Sequence, residues 1–398
     1  MSDKQTVKFG DIFREVKLAT KDPIADGYER YIGLEHLDSG SLKIKRYGII
    51  SEDNPSFTRV FKKGHILFGK RRPYLKKAAI AEFDGICSGD IIVMEPKYSP
   101  LLSNELVRHL VQSEPVWNWA VLNSSGSLSP RTKFSILSKL EISVPSYPQE
   151  SCLNVLREAE RALIASEAVV AQLIEAKIAT AYSLMLEGNW YRELFGRDQT
   201  FIPDGWKLLT IDDVLKDTQY GLSESLDAQG RYPVLRMMNI TNGYVDPNDL
   251  KYLDWSKEEA NRYILNYGDI VFNRTNSMEW VGRTGIFELD GDYLFASYLI
   301  RLVANESKLT PYYLTQYLNL PLIQYRLKAF ATPGVSQANI NPGSLKSLPI
   351  LVPPLNRVKD IEKVLREFDK ELEVAKKHHQ RMLQFMESIK SKYFQQVA

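Results

Sequence analysis

A helical run of about 40 residues that occurs twice limits what this chain can become. The first spans about Pro148 to Tyr191 and begins PQESCLNVLREAERALIASEAVVAQLIEAKIATAYSLMLEG. The second begins at Pro354 and reads PLNRVKDIEKVLREFDKELEVAKKHHQRMLQFMESIKSKYF. Both carry the same tetrapeptide early on, Val155-Leu156-Arg157-Glu158 and Val364-Leu365-Arg366-Glu367. In the second run Ile361, Phe368, Ala375, Met382 and Ile389 lie seven apart, with Leu365, Leu372, His379, Met386 and Tyr393 four residues on. These rows put one apolar seam on a helix roughly 60 Å long, at ~1.5 Å rise per residue. The first run has a comparable row, Leu156, Leu163, Val170 and Leu184, interrupted by Lys177. So long a seam needs a long partner, and the other helix is the obvious one; alternatively, each helix packs as the C-terminal element of its own domain.

What precedes each helix also repeats. Residues from about Val7 to Pro145 read as short strands (YIGLEHL, FKKGHILFG, KKAAIAEF, GDIIVMEP) broken by turn signals, with one helical patch near Leu101 to Trp119. After a loop through Gly188, Gly196, Pro203 and Gly205, the texture returns as VLRMMNI, NYGDIVFNR, RTGIFEL and YLIRLVA, with PYYLTQYLNLPLIQYRLKAF as the second helical patch. His36 to Gly40 pairs with Asn239 to Gly243, Lys63 to Phe68 with Tyr267 to Phe272, Gly126 with Gly334, and Val144-Pro145 with Val352-Pro353. The separations drift upward along the chain from 203 to 209 residues, as a duplication with small insertions produces. The expected fold is α+β: two similar mixed α/β domains, 1–147 and 192–353, separated by two long antiparallel helices, 148–191 and 354–398, in a pseudo-twofold internal repeat.

Composition excludes more than it suggests. A formal net charge of +2 over 398 residues means that any nucleic-acid binding must come from local basic patches. Cys87 and Cys152 show no CxxC or Cys/His spacing, so neither a disulfide framework nor a zinc site is expected. With no basic-then-apolar leader and no apolar run near ~18 residues, the chain is expected to be soluble and cytoplasmic, without a membrane partner. Catalytic signatures are poor. Asp53-Asn54-Pro55-Ser56-Phe57 lacks the second proline of an amino-methyltransferase loop, and Glu175-Ala176-Lys177 has nuclease spacing inside a helix. His378-His379 has no third ligand in view, and there is no Walker A motif. No catalytic, cofactor-binding or metal residue is expected.

The DNA-facing candidates are better. Arg59 to Lys77 contains eight Lys and Arg residues and no acid, and a strand-turn-strand reading puts Lys70, Arg71, Arg72 and Tyr74 at an exposed tip, with Lys76 and Lys77 following. Guanidinium forks suit guanine edges, and ammonium groups suit phosphates. The corresponding tip in the second half offers Asn273, Arg274 and Asn276, then Arg283; its amides also suit adenine edges. A second loop precedes each long helix, carrying Ser127, Arg131 and Lys133 in one copy and Gln337 and Asn339 in the other. A solubilising loop is the alternative reading of the first tip, and plain connecting turns are that of the two loops before the helices.

The ordered, twice-occurring landmarks resemble the specificity (S) subunit of type I restriction–modification systems. Gly64-His65-Ile66-Leu67 and Gly268-Asp269-Ile270-Val271 resemble that family's Gly-Asp-Ile-Leu strand. Ile142-Ser143-Val144-Pro145 and Ile350-Leu351-Val352-Pro353-Pro354 resemble the entry to its spacer helices. His65 and Ser146-Tyr147-Pro148 depart from the pattern in the first copy. The resemblance implies two target-recognition domains in a non-catalytic subunit that reads a bipartite, asymmetric double-stranded DNA target. Two modification (methyltransferase) subunits would be partners, supplying S-adenosylmethionine, with restriction/translocase subunits as optional additions. The rivals are a coiled-coil scaffold with two ligand-binding heads, and a methyltransferase or nuclease with an unrecognised site.

Overall fold

Gly64 and Gly268 both adopt a φ of 90°, which a side chain would strain, and each opens a central strand. The computed structural model describes residues 4–98, 102–146, 149–186, 202–333 and 337–397. The expected helix end at Tyr191 and the glycines at 188, 196 and 334 lie outside them. The chain divides into two units, Met1–Val169 with Ala375–Ala398, and Val170–Val374.

In the first unit, Ile66–Gly69 pairs antiparallel with Ala78–Ile80 and with Ile91–Pro96, which also pairs with Phe13–Glu15. Arg30–Ile32 lies parallel to Gly85–Cys87, and Lys4–Lys8 pairs antiparallel with Glu141–Pro145, the strand that leads to the first long helix. In the second unit, Ile270–Asn273 pairs antiparallel with Thr284–Ile286 and with Leu299–Ala304, which also pairs with Leu215–Tyr220. Tyr232–Leu235 lies parallel to Leu294–Phe295, and Lys207–Thr210 pairs antiparallel with Pro349–Val352 before the second long helix. These pairings match strand for strand.

Each expected helical patch is two helices, Asn104–Val111 with Glu114–Leu122, and Pro311–Asn319 with Pro321–Ala329. Pro115 and Pro321 fall in the first turn of the second member, where a missing N–H costs nothing but a preceding helix cannot continue through.

The long helices run Glu150–Met185 and Leu355–Tyr393. Each unit takes a segment of both. In the first, Cys152, Leu153 and Leu156 share a core with Met386, Ile389 and Phe394; in the second, Ala181, Met185 and Leu186 share one with Val358, Ile361 and Leu365. Within each unit the two segments therefore run antiparallel, and neither helix packs solely as the end of its preceding domain. The seam residues face inward: Ile361, Leu365, Leu372, Met386 and Ile389 are buried. Lys177 stays in the seam because its ammonium pairs with the carboxylate of Asp369, which also accepts the hydroxyls of Tyr244 and Tyr312. His379, likewise in the seam, has Nδ1 2.9 Å from Ser166 Oγ.

The shared tetrapeptide has the same task in each unit. Leu156 and Leu365 are fully buried, while Arg157 clasps Glu105 and Arg366 clasps Glu288 with two nitrogens each. Val155 and Val364 point outward. The arginines fasten the helix to the sheet-bearing part of the unit.

Candidate nucleic-acid interface

The turn after Ile66–Gly69 is shaped by its own residues. Arg72 and Lys76 both adopt left-handed backbone, with φ of 53° and 49°, around the short turn Pro73–Leu75. The second basic loop lies directly against it. Arg72 N–H donates to the Pro130 carbonyl over 2.7 Å, Thr132 N–H donates to the Lys70 carbonyl over 2.9 Å, and Arg71 and Arg131 face each other across this bridge. Ser125 and Arg131 exchange backbone hydrogen bonds of 2.8 and 3.0 Å, closing a small hairpin. Gly126, with a φ of 106°, turns it, and Ser127 and Leu128 stand exposed at its tip. Two loops some sixty residues apart in sequence thus form one surface.

Not every predicted contact reaches that surface. Lys70, Arg71, Arg72, Tyr74, Arg131 and Lys133 are exposed or half-buried on it. Lys76 instead pairs with Glu114, and Lys77 Nζ donates to the Leu34 carbonyl over 2.8 Å. Those two ammonium groups hold the turn to the body of the unit. Asp90, absent from the sequence-based selection, takes part in the surface. Its carboxylate accepts Arg131 Nε at 2.9 Å and Nη2 at 3.4 Å and lies 3.5 Å from Arg71 Nη1. Burial opposes its ionisation, but the Arg131 hydrogen bond and the charges of Arg131, Arg71 and Lys70 prevail and hold the carboxyl below the usual carboxylate range.

The second unit repeats the construction with other side chains. Thr275 and Asn276 pair with Asn339 and Ala338, and Ile340 N–H donates to the Arg274 carbonyl over 2.9 Å. Arg274 Nη2 donates to Asn339 Oδ1 over 3.2 Å, its guanidinium lies 5.0 Å from the Tyr220 ring centre, and Asn339 Nδ2 donates to Thr275 Oγ1 over 2.9 Å. Gln337 is exposed beside them, and Asn276 is half-buried. Asn273 differs from its neighbours. It is fully buried at the end of its strand and donates to the Met237 carbonyl over 3.2 Å, so it supports the loop from within. Arg283 is half-buried with its guanidinium 3.3 Å from the Trp280 ring centre, and that burial lowers its pKa.

The backbone equivalence identifies which positions correspond. Lys70 N–H donates to the Asp90 carbonyl and Arg274 N–H to the Tyr298 carbonyl, so Tyr298 stands where Asp90 does. Asp90 and Tyr298 were missed because neither belongs to a basic run; each lies immediately before the strand neighbouring the tip, and the repeat offset pairs them. Among the described residues, no group of three or more His, Cys, Asp or Glu side chains could hold a metal ion. Among the same residues, no helix is long and apolar enough to cross a membrane.

Residues 203–381 match the profile of the type I restriction modification DNA specificity domain. A protein of Methanocaldococcus jannaschii, provisionally named the type I restriction enzyme MjaX specificity subunit, is 33% identical over 193 residues, 46% of this chain and 45% of that protein. The type I restriction enzyme EcoKI specificity subunit of Escherichia coli K12 is 29% identical over 160 residues, 39% of this chain and 34% of that one. The match thus spans less than half the length of either relative. A solved structure concerned with complex assembly and conformational transition of the type I R-M system shares the fold at a TM-score of 0.51 and 19% identity, covering 98% of this chain and 97% of that one. Residues 203–381 thus carry a type I restriction modification DNA specificity domain, and along its length the chain shares its fold with a component of a type I R-M system.

Proposed function

We propose that this chain is the DNA-reading, non-catalytic subunit of a type I restriction–modification complex working in the cytoplasm. Each sheet-bearing domain, 1–147 and 192–353, would read one short element of a bipartite, asymmetric double-stranded target. The long helices, 148–191 and 354–398, would set the unread interval between the elements and dock two methyltransferase subunits. S-adenosylmethionine would bind in those subunits and not here, and restriction/translocase subunits would join where the system cleaves.

One observation carries this reading. In both units the loop after the central strand is hydrogen-bonded to the loop before the long helix, giving one platform built twice, with arginines on one copy and an arginine, amides and tyrosine on the other. A common scaffold with unlike side chains is what two unlike half-sites require. The test is selection of bound duplexes from a randomised pool by the full chain, alone and co-expressed with a methyltransferase subunit. Two dissimilar motifs at one fixed interval are expected, and R71A/R72A should relax only one of them. A folded complex that enriches nothing would replace this reading with that of a two-headed scaffold.

A further inference from the structure

Asp90 is an odd residue to find at the centre of a surface meant for a polyanion. Its carboxylate faces Arg131 at 2.9 and 3.4 Å and Arg71 at 3.5 Å, and it lies one residue from the backbone bridge that joins the two loops. The same arginines also lean on Ser129: Arg71 Nη2 donates to its hydroxyl over 3.3 Å, and Arg131 Nη1 lies 3.5 Å from its carbonyl. Both guanidiniums are therefore fixed in direction before any ligand arrives. They remain accessible, with 41% and 46% of the Arg71 and Arg131 side chains exposed. Among the described residues no carboxylate is paired with Lys70, Arg72 or Lys133, so the surface keeps a net positive charge around this one anion. In the second unit the same backbone place holds Tyr298, and an amide-to-hydroxyl bond between Asn339 and Thr275 replaces the ion triad.

Resting on the DNA-reading function proposed above, we infer that Asp90 is a positioning residue for the first half-site. It presets the Arg71 and Arg131 forks toward base edges and, by occupying charge that a phosphate would otherwise take, suppresses sequence-independent binding. A carboxylate shared by two guanidiniums orients their planes through charge-assisted hydrogen bonds. It also repels the DNA backbone, so removing the charge should raise non-specific affinity while loosening base choice. A purely structural role would weaken both together.

The experiment uses the full chain as wild type, D90N and D90S, with the second unit as internal reference. Asparagine preserves the shape and removes the charge, and serine covers the case in which the amide misfolds the loop. The readouts are duplex selection from a randomised pool and the salt dependence of binding to a duplex of unrelated sequence. In the variants the first motif should blur while the second stays sharp. Affinity for the unrelated duplex should rise several-fold, and the slope of log affinity against log salt should steepen by about one counter-ion. Equal losses of specific and unrelated binding, or an unchanged first motif and salt slope, would overturn the role of Asp90 and leave the DNA-reading function standing. Failure of the wild-type chain to enrich any sequence would overturn both.

Discussion

His65 Nδ1 accepts the backbone N–H of Lys62 over 3.1 Å, the bond that Asp269 makes to the N–H of Asn266 over 2.8 Å in the second unit. An imidazole has replaced a carboxylate as the acceptor that closes the turn before the central strand. His36 does the same for Gly33 over 3.0 Å, where Asn239 serves Arg236 over 2.9 Å. The substitution matters because an imidazolium cannot accept at Nδ1. Burial lowers the pKa of His65, against the raising effects of Glu95 and Asp84 and with a small lowering effect from Lys62.

A histidine whose folded pKa lies below its unfolded value contributes stability that is present above the unfolded value and lost as pH falls through the folded one. The first unit should therefore weaken as pH drops from about 6.5, the ordinary histidine value, while Asp269, whose pKa burial raises, keeps a carboxyl oxygen that can accept the Asn266 N–H in either protonation state. H65N keeps an acceptor without the titration and should flatten the response at this turn, while His109, whose pKa burial also lowers, still titrates elsewhere in the unit. Amide exchange at Lys62 and Asn266 between pH 7.5 and pH 5 measures both turns in one sample, and equal protection of the Lys62 amide across that range in the wild type would refute the expectation.

Arg366 is expected to matter far more than its neighbour Val364. It donates from Nη2 to Glu288 over 2.7 Å and from Nε to Glu362 over 2.7 Å, and its guanidinium lies 4.1 Å from the Tyr312 ring centre. R366A leaves two largely buried carboxylates without their cation and should cost about 2–3 kcal/mol, read from the urea midpoint of the second unit. R366K should recover only part of that, since an ammonium cannot fork across a carboxylate. V364S, on the solvent side, should stay within about 0.5 kcal/mol of wild type.

The two thiols should be silent in the folded chain. Cys87 is fully buried between strands and Cys152 is buried at the start of the first long helix, and burial pushes both pKa values up to about 12. A thiolate-dependent reagent at pH 8 should label neither until denaturant is added, when both should react. Rapid labelling under native conditions would show that the cores open far more readily than their packing implies.

The heptad rows, the duplicated landmarks and the strand-turn-strand tip were legible because period and offset survive in sequence. Hydrogen-bond partners across distant loops were not. Lys76 and Lys77 share the charge and exposure prior of Arg71 and Arg72, and only the positions of Glu114 and the Leu34 carbonyl turn them inward. Asn273 reads like Asn276 until the strand is seen to run one residue further and bury it. Asp90 carries no sign of its task in its own neighbourhood, because its partners come from residue 71 on one side and residue 131 on the other.

Lys177 and Asp369 make the sharpest case of a sequence irregularity explained by packing. Their side chains are 12% and 17% exposed, and the carboxylate also accepts the Tyr244 hydroxyl over 2.8 Å and that of Tyr312, whose pKa values are raised by burial and by the Asp369 charge. Removing the cation leaves a buried anion held only by two phenols, so K177M should cost about 3 kcal/mol. D369N keeps an oxygen acceptor for one hydroxyl but removes the anion that the ammonium faces, and should cost a similar amount. If the two groups act as a pair, the double variant K177M/D369N should lose less than the sum of the single losses by about 0.5–3 kcal/mol, the range found for residues in direct contact. Urea unfolding of the four proteins gives the cycle directly. Strict additivity would mean that the lysine is tolerated in the seam for its aliphatic stem alone, with its charge solvated along the helix rather than bound to the aspartate.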